Sequence, residues 1–236
     1  MSEQLQNDDP IDVPAPGEPS ILSISSRTAT VLLLFTLVFT ALMAATYFAT
    51  KPAIEESARA EKMKLIGEVL PAGNYDNDLL ADGITLPPIA ALGLDDTSKA
   101  YRARKGGQPM AVIVEAAAPD GYSGRIGLLL AVDTGGHLLA MRVTQHKETP
   151  GLGDYIDPKK DKNKASPWID QFKAKDFEAV PPAQWKVKKD GGVFDAHTGA
   201  TISARAVTNA SGRALAWAVN HQAKLFALPA GGRLEE

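Results

Sequence analysis

Not one cysteine occurs in the sequence. Disulfides, cysteine-ligated iron–sulfur clusters, thiolate zinc sites and cysteine nucleophiles are therefore excluded in this chain. Histidine is scarce. The four, His137, His146, His197 and His221, show no HExxH or HxH spacing, so no protein-built metal site is expected. A basic surplus is missing too. With 25 Lys and Arg against 28 Asp and Glu, nothing is left over to neutralise the phosphates of a nucleic acid, so no such partner is expected. The one dense basic run, Lys159-Lys160-Asp161-Lys162-Asn163-Lys164, reads as a solvated loop. If the protein does redox work, an organic cofactor or a partner must carry the electrons.

What is present begins with an uncharged, mostly apolar stretch from Thr28 to Thr50. At ~1.5 Å per residue it makes a helix of ~34 Å, enough for a ~30 Å hydrocarbon core. Arg27 and Lys51 bracket it, and Tyr47 and Phe48 sit near one end. The run exceeds the ~7–15 residues of a secretory h-region, and an acidic, Pro-rich segment precedes it, so it reads as an uncleaved single-pass anchor. Charge alone points the following domain to the cytoplasm, because Lys51, Arg59, Lys62 and Lys64 follow the span while only Arg27 precedes it. Large following domains can translocate regardless of this bias, which leaves the topology open.

Residues 1–27 are expected to form a disordered tail. The first 20 hold four prolines and five acids with no aromatic residue, too little apolar surface to pack. After the span at 28–50, residues 51–98 read as a juxtamembrane helix, with Ile54, Ala58, Leu65, Ile66 and Val69 at helical spacing, ended by Pro71 and Gly73. A loose connection follows over 71–98. A folded domain is expected over 99–228. Ala111–Ala117 reads as a strand, and Arg125–Val132 and His137–Gln145 as a hairpin around Asp133-Thr134-Gly135-Gly136. A short helix is expected to start at Ser166-Pro167-Trp168, and a short strand at Trp185–Lys189. The last long helix runs from about Thr201 to Leu225, with Ile202, Ala206, Val207, Ala210, Ala214, Trp217 and Ala218 on its apolar side. Residues 229–236 read as a tail. This order predicts an α+β fold, with one N-terminal transmembrane helix followed by a largely antiparallel sheet and packed helices.

The stretch most suited to chemistry is Asp190-Gly-Gly-Val-Phe-Asp-Ala-His-Thr-Gly-Ala-Thr-Ile-Ser-Ala-Arg205. It is a Gly-rich approach to a helix N-terminus, where unpaired N–H groups and a partial positive charge suit a phosphate. The same residues also suit an ordinary N-cap, Thr198 or Thr201, opening a core helix. Two phosphate motifs are rejected. A P-loop needs Lys-Ser/Thr after its last glycine, but Ala200-Thr201 follows Gly199. A Rossmann fingerprint needs a third glycine where Ile156 stands after Gly151-Leu-Gly153. A second stretch, His146-Lys-Glu-Thr-Pro-Gly-Leu-Gly-Asp154, reads as a rigid turn after a strand.

Thr198-Gly199-Ala200-Thr201 with Ser203 resembles the flavinylation motif of the FMN-binding domain family, and Glu148-Thr-Pro-Gly-Leu-Gly153 resembles that family's segment against the flavin ring. In detail, HKETPGLGD, SPWIDQF and KKDGGVFDAHTGAT are similar to the G subunits of Rnf (Rsx) ion-translocating oxidoreductase complexes. The C subunit of the Na⁺-translocating NADH:quinone oxidoreductase shares the domain and is the nearest alternative. A flavin-free, membrane-tethered scaffold is an alternative of another class. The resemblance implies an FMN-binding domain over 99–228, with FMN joined through its phosphate to Thr201 by a flavin transferase using FAD. It places Thr198, Gly199, Ala200 and Ser203 around the phosphate and Asp195 upstream as the family's usual acid. Glu148, Thr149, Gly151 and Leu152 would border the ring. It further implies a translocase subunit rather than a stand-alone catalyst, with the other membrane and cytoplasmic subunits of the complex as partners. The chain would lie in the bacterial inner membrane, with its tail cytoplasmic and its flavin domain periplasmic.

Overall fold

A computed structural model describes residues 21–235. Of the tail expected over 1–27, residues 1–20 lie outside the described residues, and residues 21–27 are the start of helix α1 (Ile21–Val69) rather than tail. Contacts divide the chain after Ala58. In the first unit, helix α1 begins at Ile21, and the residues from Val31 to Phe48 expose their large apolar side chains all round. That is the pattern of a helix surrounded by lipid rather than of one packed on a core. It is long and apolar enough to cross a membrane. The Thr28, Thr30, Thr36, Thr46 and Thr50 hydroxyls each donate to the carbonyl four residues earlier, which satisfies them without a partner helix. The expected span and juxtamembrane helix form one element, because α1 runs without a break over Ile21–Val69 with Pro52 inside it.

The second unit starts at Arg59 and is built on a five-stranded antiparallel meander. Its strands are β1 (Gly83–Leu86), β2 (Ser98–Lys105), β3 (Gln108–Gly121), β4 (Gly124–Asp133) and β5 (Leu138–Gln145), in that spatial order. Strand alternation divides the core in two. Ile84, Ala100, Val112, Val114, Leu128 and Leu130 face helix α2 (Thr201–Ala227), while Tyr101, Ile113, Leu129 and Ala131 face Ile66, Val69 and Leu70 at the end of α1. Helix α2 lies close because it is rich in alanine. At Gly212 a Cβ would stand 2.6 Å from the Trp185 ring, and the Trp185 indole donates to Ser211 Oγ at 3.0 Å.

Several local expectations change. The connection expected to be loose over 71–98 contributes β1 to the sheet. The segment after α2 also lies along β1. Gly231 N–H donates to Gly83 O at 3.0 Å, Thr85 N–H to Gly232 O at 2.9 Å, and Leu234 N–H to Thr85 O at 2.9 Å. Arg102, buried at the same end, donates to Leu225 O at 2.8 Å and to Leu228 O, and pairs with Asp82. It thus satisfies carbonyls that the end of α2 leaves open. The expected strand at Trp185–Lys189 reduces to a Val187–Phe194 bridge and a 3-10 turn at Lys188–Asp190. Gly191, at φ 83°, folds the chain back there before a strand can extend. The expected helix at Ser166 is a 3-10 turn, Trp168–Phe172. Its first N–H is received not by Ser166 but by Asp161 Oδ2 at 2.6 Å, so the acid inside the basic run is a buried anchor.

Candidate functional site

The residues between β5 and α2 form no regular element longer than a 3-10 turn, and an aromatic cluster holds them together. Trp168 meets Phe172 edge-on at 5.3 Å, and Phe172 stacks on Phe194 at 4.4 Å. Tyr155 ties the two motifs to each other. Its hydroxyl accepts His197 N–H at 3.1 Å and donates to Ala200 O at 3.3 Å, and its ring stacks on His197 at 3.8 Å. Burial pushes the Tyr155 phenol above its ordinary pKa.

Each motif bends at a glycine. In Thr149-Pro150-Gly151-Leu152, Leu152 N–H donates to Thr149 O at 3.1 Å with Gly151 at φ 77°. In His197-Thr198-Gly199-Ala200, Ala200 N–H donates to His197 O at 3.1 Å with Gly199 at φ 84°. A positive φ at the third position of such turns is where glycine is favoured over any residue with a Cβ. The two turns close on one cavity of about 260 Å³, lined by Tyr122, Glu148, Thr149, Leu152, Gly153, Gly199, Ala200, Ile202 and Ser203.

Of the residues singled out from the sequence, Glu148, Thr149, Leu152, Gly199, Ala200 and Ser203 line this cavity. Thr201 does not line it but stands between two residues that do, half-buried as the first residue of α2. Thr198 is exposed in the turn before it, and Gly151 shapes the opposite turn from outside the lining. Asp195 is elsewhere. Its carboxylate pairs with Lys188 at 2.7 Å, and its backbone holds the loop through Trp168 Nε1 at 2.6 Å and Gln171 Oε1 at 2.7 Å.

Neither Thr198 nor Thr201 caps α2. The N-cap position is Ala200, and no side chain accepts a hydrogen bond from the helix start. A 27-residue helix therefore begins beside the cavity with N–H groups that no capping side chain receives. Ser203, expected at the phosphate, lines the cavity and donates its hydroxyl to Glu148 Oε2. Arg205 is engaged as well, in a two-pronged pair with Asp190 at 2.5 and 2.8 Å that holds the Asp190 carboxyl below its usual range.

Sequence reasoning missed three lining residues. Tyr122 sits in the β3–β4 turn with no motif around it. Gly153 is visible as the last glycine of its segment, and its role is steric, since a Cβ there would stand 2.5 Å from Ser203 Oγ and 2.8 Å from Glu148 Oε2. Ile202, expected on the buried side of α2, is 45% exposed. It lies one turn before Ala206, where the sheet no longer covers the helix and the cavity begins. With Tyr122 and Leu152 it gives the mouth of the cavity three exposed apolar side chains.

The family model described as FMN-binding domain matches residues 121–216, which contain every lining residue, and the RnfG N-terminal region matches residues 21–69. A protein of Shewanella baltica (strain OS223) is 42% identical over 198 residues, covering 84% of this chain and 91% of that protein. Proteins of Pseudomonas aeruginosa (strain UCBPP-PA14) and Escherichia coli (strain K12) are each 44% identical over 201 residues, covering 85% of this chain and 92% and 94% of theirs. All three are named as the G subunit of an ion-translocating oxidoreductase complex.

Proposed function

The chain belongs to the family of G subunits of ion-translocating oxidoreductase complexes, and on that premise we propose that it is an electron-transfer subunit of such a membrane complex, carrying FMN joined to Thr201. The observation that carries the reading is the uncapped start of α2 beside Thr201, opening on a cavity with an apolar mouth. The residues fit the group at both ends. Orphan N–H groups and a helix dipole suit a phosphate, while Tyr122, Leu152 and Ile202 offer apolar surface to a ring. At about 260 Å³ the cavity is smaller than the ~300–1,000 Å³ that encloses a drug-sized ligand, so FMN would stay partly open to a neighbouring subunit. That suits relay of electrons better than turnover of a substrate.

The attachment follows from the family resemblance and balances simply. A bond forms between Thr201 Oγ1 and the phosphorus of the flavin half of FAD, the pyrophosphate bond breaks, AMP leaves, and the hydroxyl proton passes to solvent. A flavin transferase would perform it. One negative charge then remains on the phosphodiester at the positive end of α2. Bound FMN supplies electron exchange in one- or two-electron steps. The protein's own part is to hold the ring between two glycine turns, to limit water around it, and to tune its potential. Other subunits of the complex would supply and receive the electrons. The helix from Ile21 would anchor the chain in the inner membrane with the second unit in the periplasm, against the charge bias after the span.

Thr201→Ala tests the reading. Protein coexpressed with its flavin transferase is run on a denaturing gel and viewed under ultraviolet light. The wild-type band should fluoresce, Thr198→Ala should be dimmer, and Thr201→Ala should be dark. An undimmed Thr201→Ala band would exclude Thr201 as the attachment point.

A further inference from the structure

Glu148 is a charged residue that the reading so far leaves without a task. It lines the cavity, yet it is 4% exposed. Both of its carboxylate oxygens accept hydrogen bonds, Oε2 from the Ser203 hydroxyl and Oε1 from Ser123 N–H at 3.0 Å. The carboxylate and its two donors come from three different places, the loop after β5, the first turn of α2 and the β3–β4 turn. The carboxylate is therefore fixed to a frame rather than carried on a flexible loop. No ion pair among the described residues involves Glu148. The neighbouring His146 is directed elsewhere, with Nδ1 receiving Glu148's own N–H at 3.2 Å and Nε2 4.0 Å from Asp157. Gly153 keeps the arrangement possible, because any side chain there would separate Ser203 from Glu148.

We infer that Glu148 is the fixed negative charge that lowers the reduction potential of a flavin held in this cavity, with Ser203 and the Ser123 N–H as the groups that position it. The inference rests on the flavin reading above. A carboxylate that accepts two hydrogen bonds but has no cation beside it keeps most of its field, and a dry wall screens that field little. Electrons entering a ring beside it add negative charge wherever they outnumber the protons taken up. Like charge opposes that addition, so the oxidised ring is favoured. The hydrogen bonds matter because they let a carboxylate stay buried at all without a counter-ion. Ser203 thus acts on the flavin through Glu148 and not as a phosphate ligand.

The test uses the full-length, flavin-loaded protein in detergent and measures its potential by spectroelectrochemical titration. Glu148→Gln keeps the shape and removes the charge, and it should shift the potential upward. Glu148→Asp keeps the charge and shortens the side chain, and it should stay nearer to wild type than Glu148→Gln does. Ser203→Ala removes one of the two donors that let the charge stay buried, and it should shift the potential in the same direction, upward, by less than Glu148→Gln does. This keeps the inference open to refutation even if the glutamine variant does not accumulate. Equal potentials for Glu148→Gln and wild type, equal shifts for the Gln and Asp variants, or a Ser203→Ala potential equal to wild type would each overturn it. Absence of flavin from the wild-type protein would sink the flavin reading and this inference together, whereas unchanged potentials in flavin-bearing variants would sink this inference alone.

Discussion

Gly153→Ala is the smallest change that strikes the centre of the site. The φ of Gly153 lies outside the left-handed region, so alanine fits its backbone and only the space for a methyl group is at issue. That space is missing. The added carbon would stand 2.5 Å from Ser203 Oγ, 2.8 Å from Glu148 Oε2 and 3.2 Å from Glu148 Cβ. Ser203 can escape by rotating, but it then gives up its hydrogen bond to the carboxylate, a loss of ~1.5–3 kcal/mol. Residual overpacking against Glu148 adds ~1–3 kcal/mol. The lower entropy of the unfolded alanine chain returns ~0.4–1 kcal/mol. The net expectation is destabilisation of about 3 kcal/mol, which in a unit of this size lowers the melting temperature by about 10 °C. Thermal melts of the full chain in detergent, followed by near-ultraviolet circular dichroism, read it directly. Ser203→Ala removes both the obstructing atom and the hydrogen bond. The double variant should therefore be more stable than the two single losses sum to, by at least ~1 kcal/mol. A melt of Gly153→Ala that matches wild type, or strict additivity in the cycle, would refute the packing described around Glu148.

Leu152→Ala should leave flavin attached, because Thr201 is not part of the ring wall, yet raise its potential as water gains access to the ring; a spectrum and potential identical to wild type would remove Leu152 from the site. Alkaline phosphatase fused beyond Glu236 should be active, and a fluorescent protein that folds only in the cytosol should be dark there. The reverse pattern would place the second unit in the cytoplasm, and a fusion nearer α2 is to be avoided because Leu234 pairs with β1. Tyr155→Phe should reduce the late part of the phenolate absorbance rise in an alkaline titration, since burial holds this phenol above the usual ~10. The sign follows from the raised folded value. The contribution to stability is complete below the unfolded pKa and is lost as pH climbs through the folded one.

Three strands of the sheet are legible in the sequence because apolar, β-rich runs stand between turn residues, and β3, β4 and β5 lie where Ala111–Ala117, Arg125–Val132 and His137–Gln145 predict them, whereas β2 carried no such expectation. Helix α2 is legible from its alanine-rich spacing and the glycine approach. Strand β1 is not, because Gly83-Ile-Thr-Leu86 is too short to show a period and owes its place to partners on both sides. The strand predicted at Trp185–Lys189 fails for the opposite reason. Its local apolar pattern is real, but Val187 and Phe194 bury themselves against the aromatic cluster instead of extending a ladder. In the site, both glycine turns are visible as motifs. The Glu148–Ser203 contact is not, since it joins residues far apart in sequence and no local signal marks a carboxylate as buried.

The pairing of Gly231–Leu234 with β1 bears on when the sheet can close. Antiparallel partners in the meander are neighbours in sequence and can close as soon as each hairpin is made. The outer edge of β1 waits for Gly231–Leu234, and the carbonyls that Arg102 meets at the end of α2 arrive only slightly earlier. A chain still being synthesised or translocated therefore carries a bare strand edge, and Arg102 without those carbonyls, until Gly231–Leu234 have emerged. An exposed edge of that kind is a template for pairing with other chains. Loss of Gly231–Leu234 would leave every lining residue of the cavity in the chain, yet it would keep that strand edge bare and open to self-association.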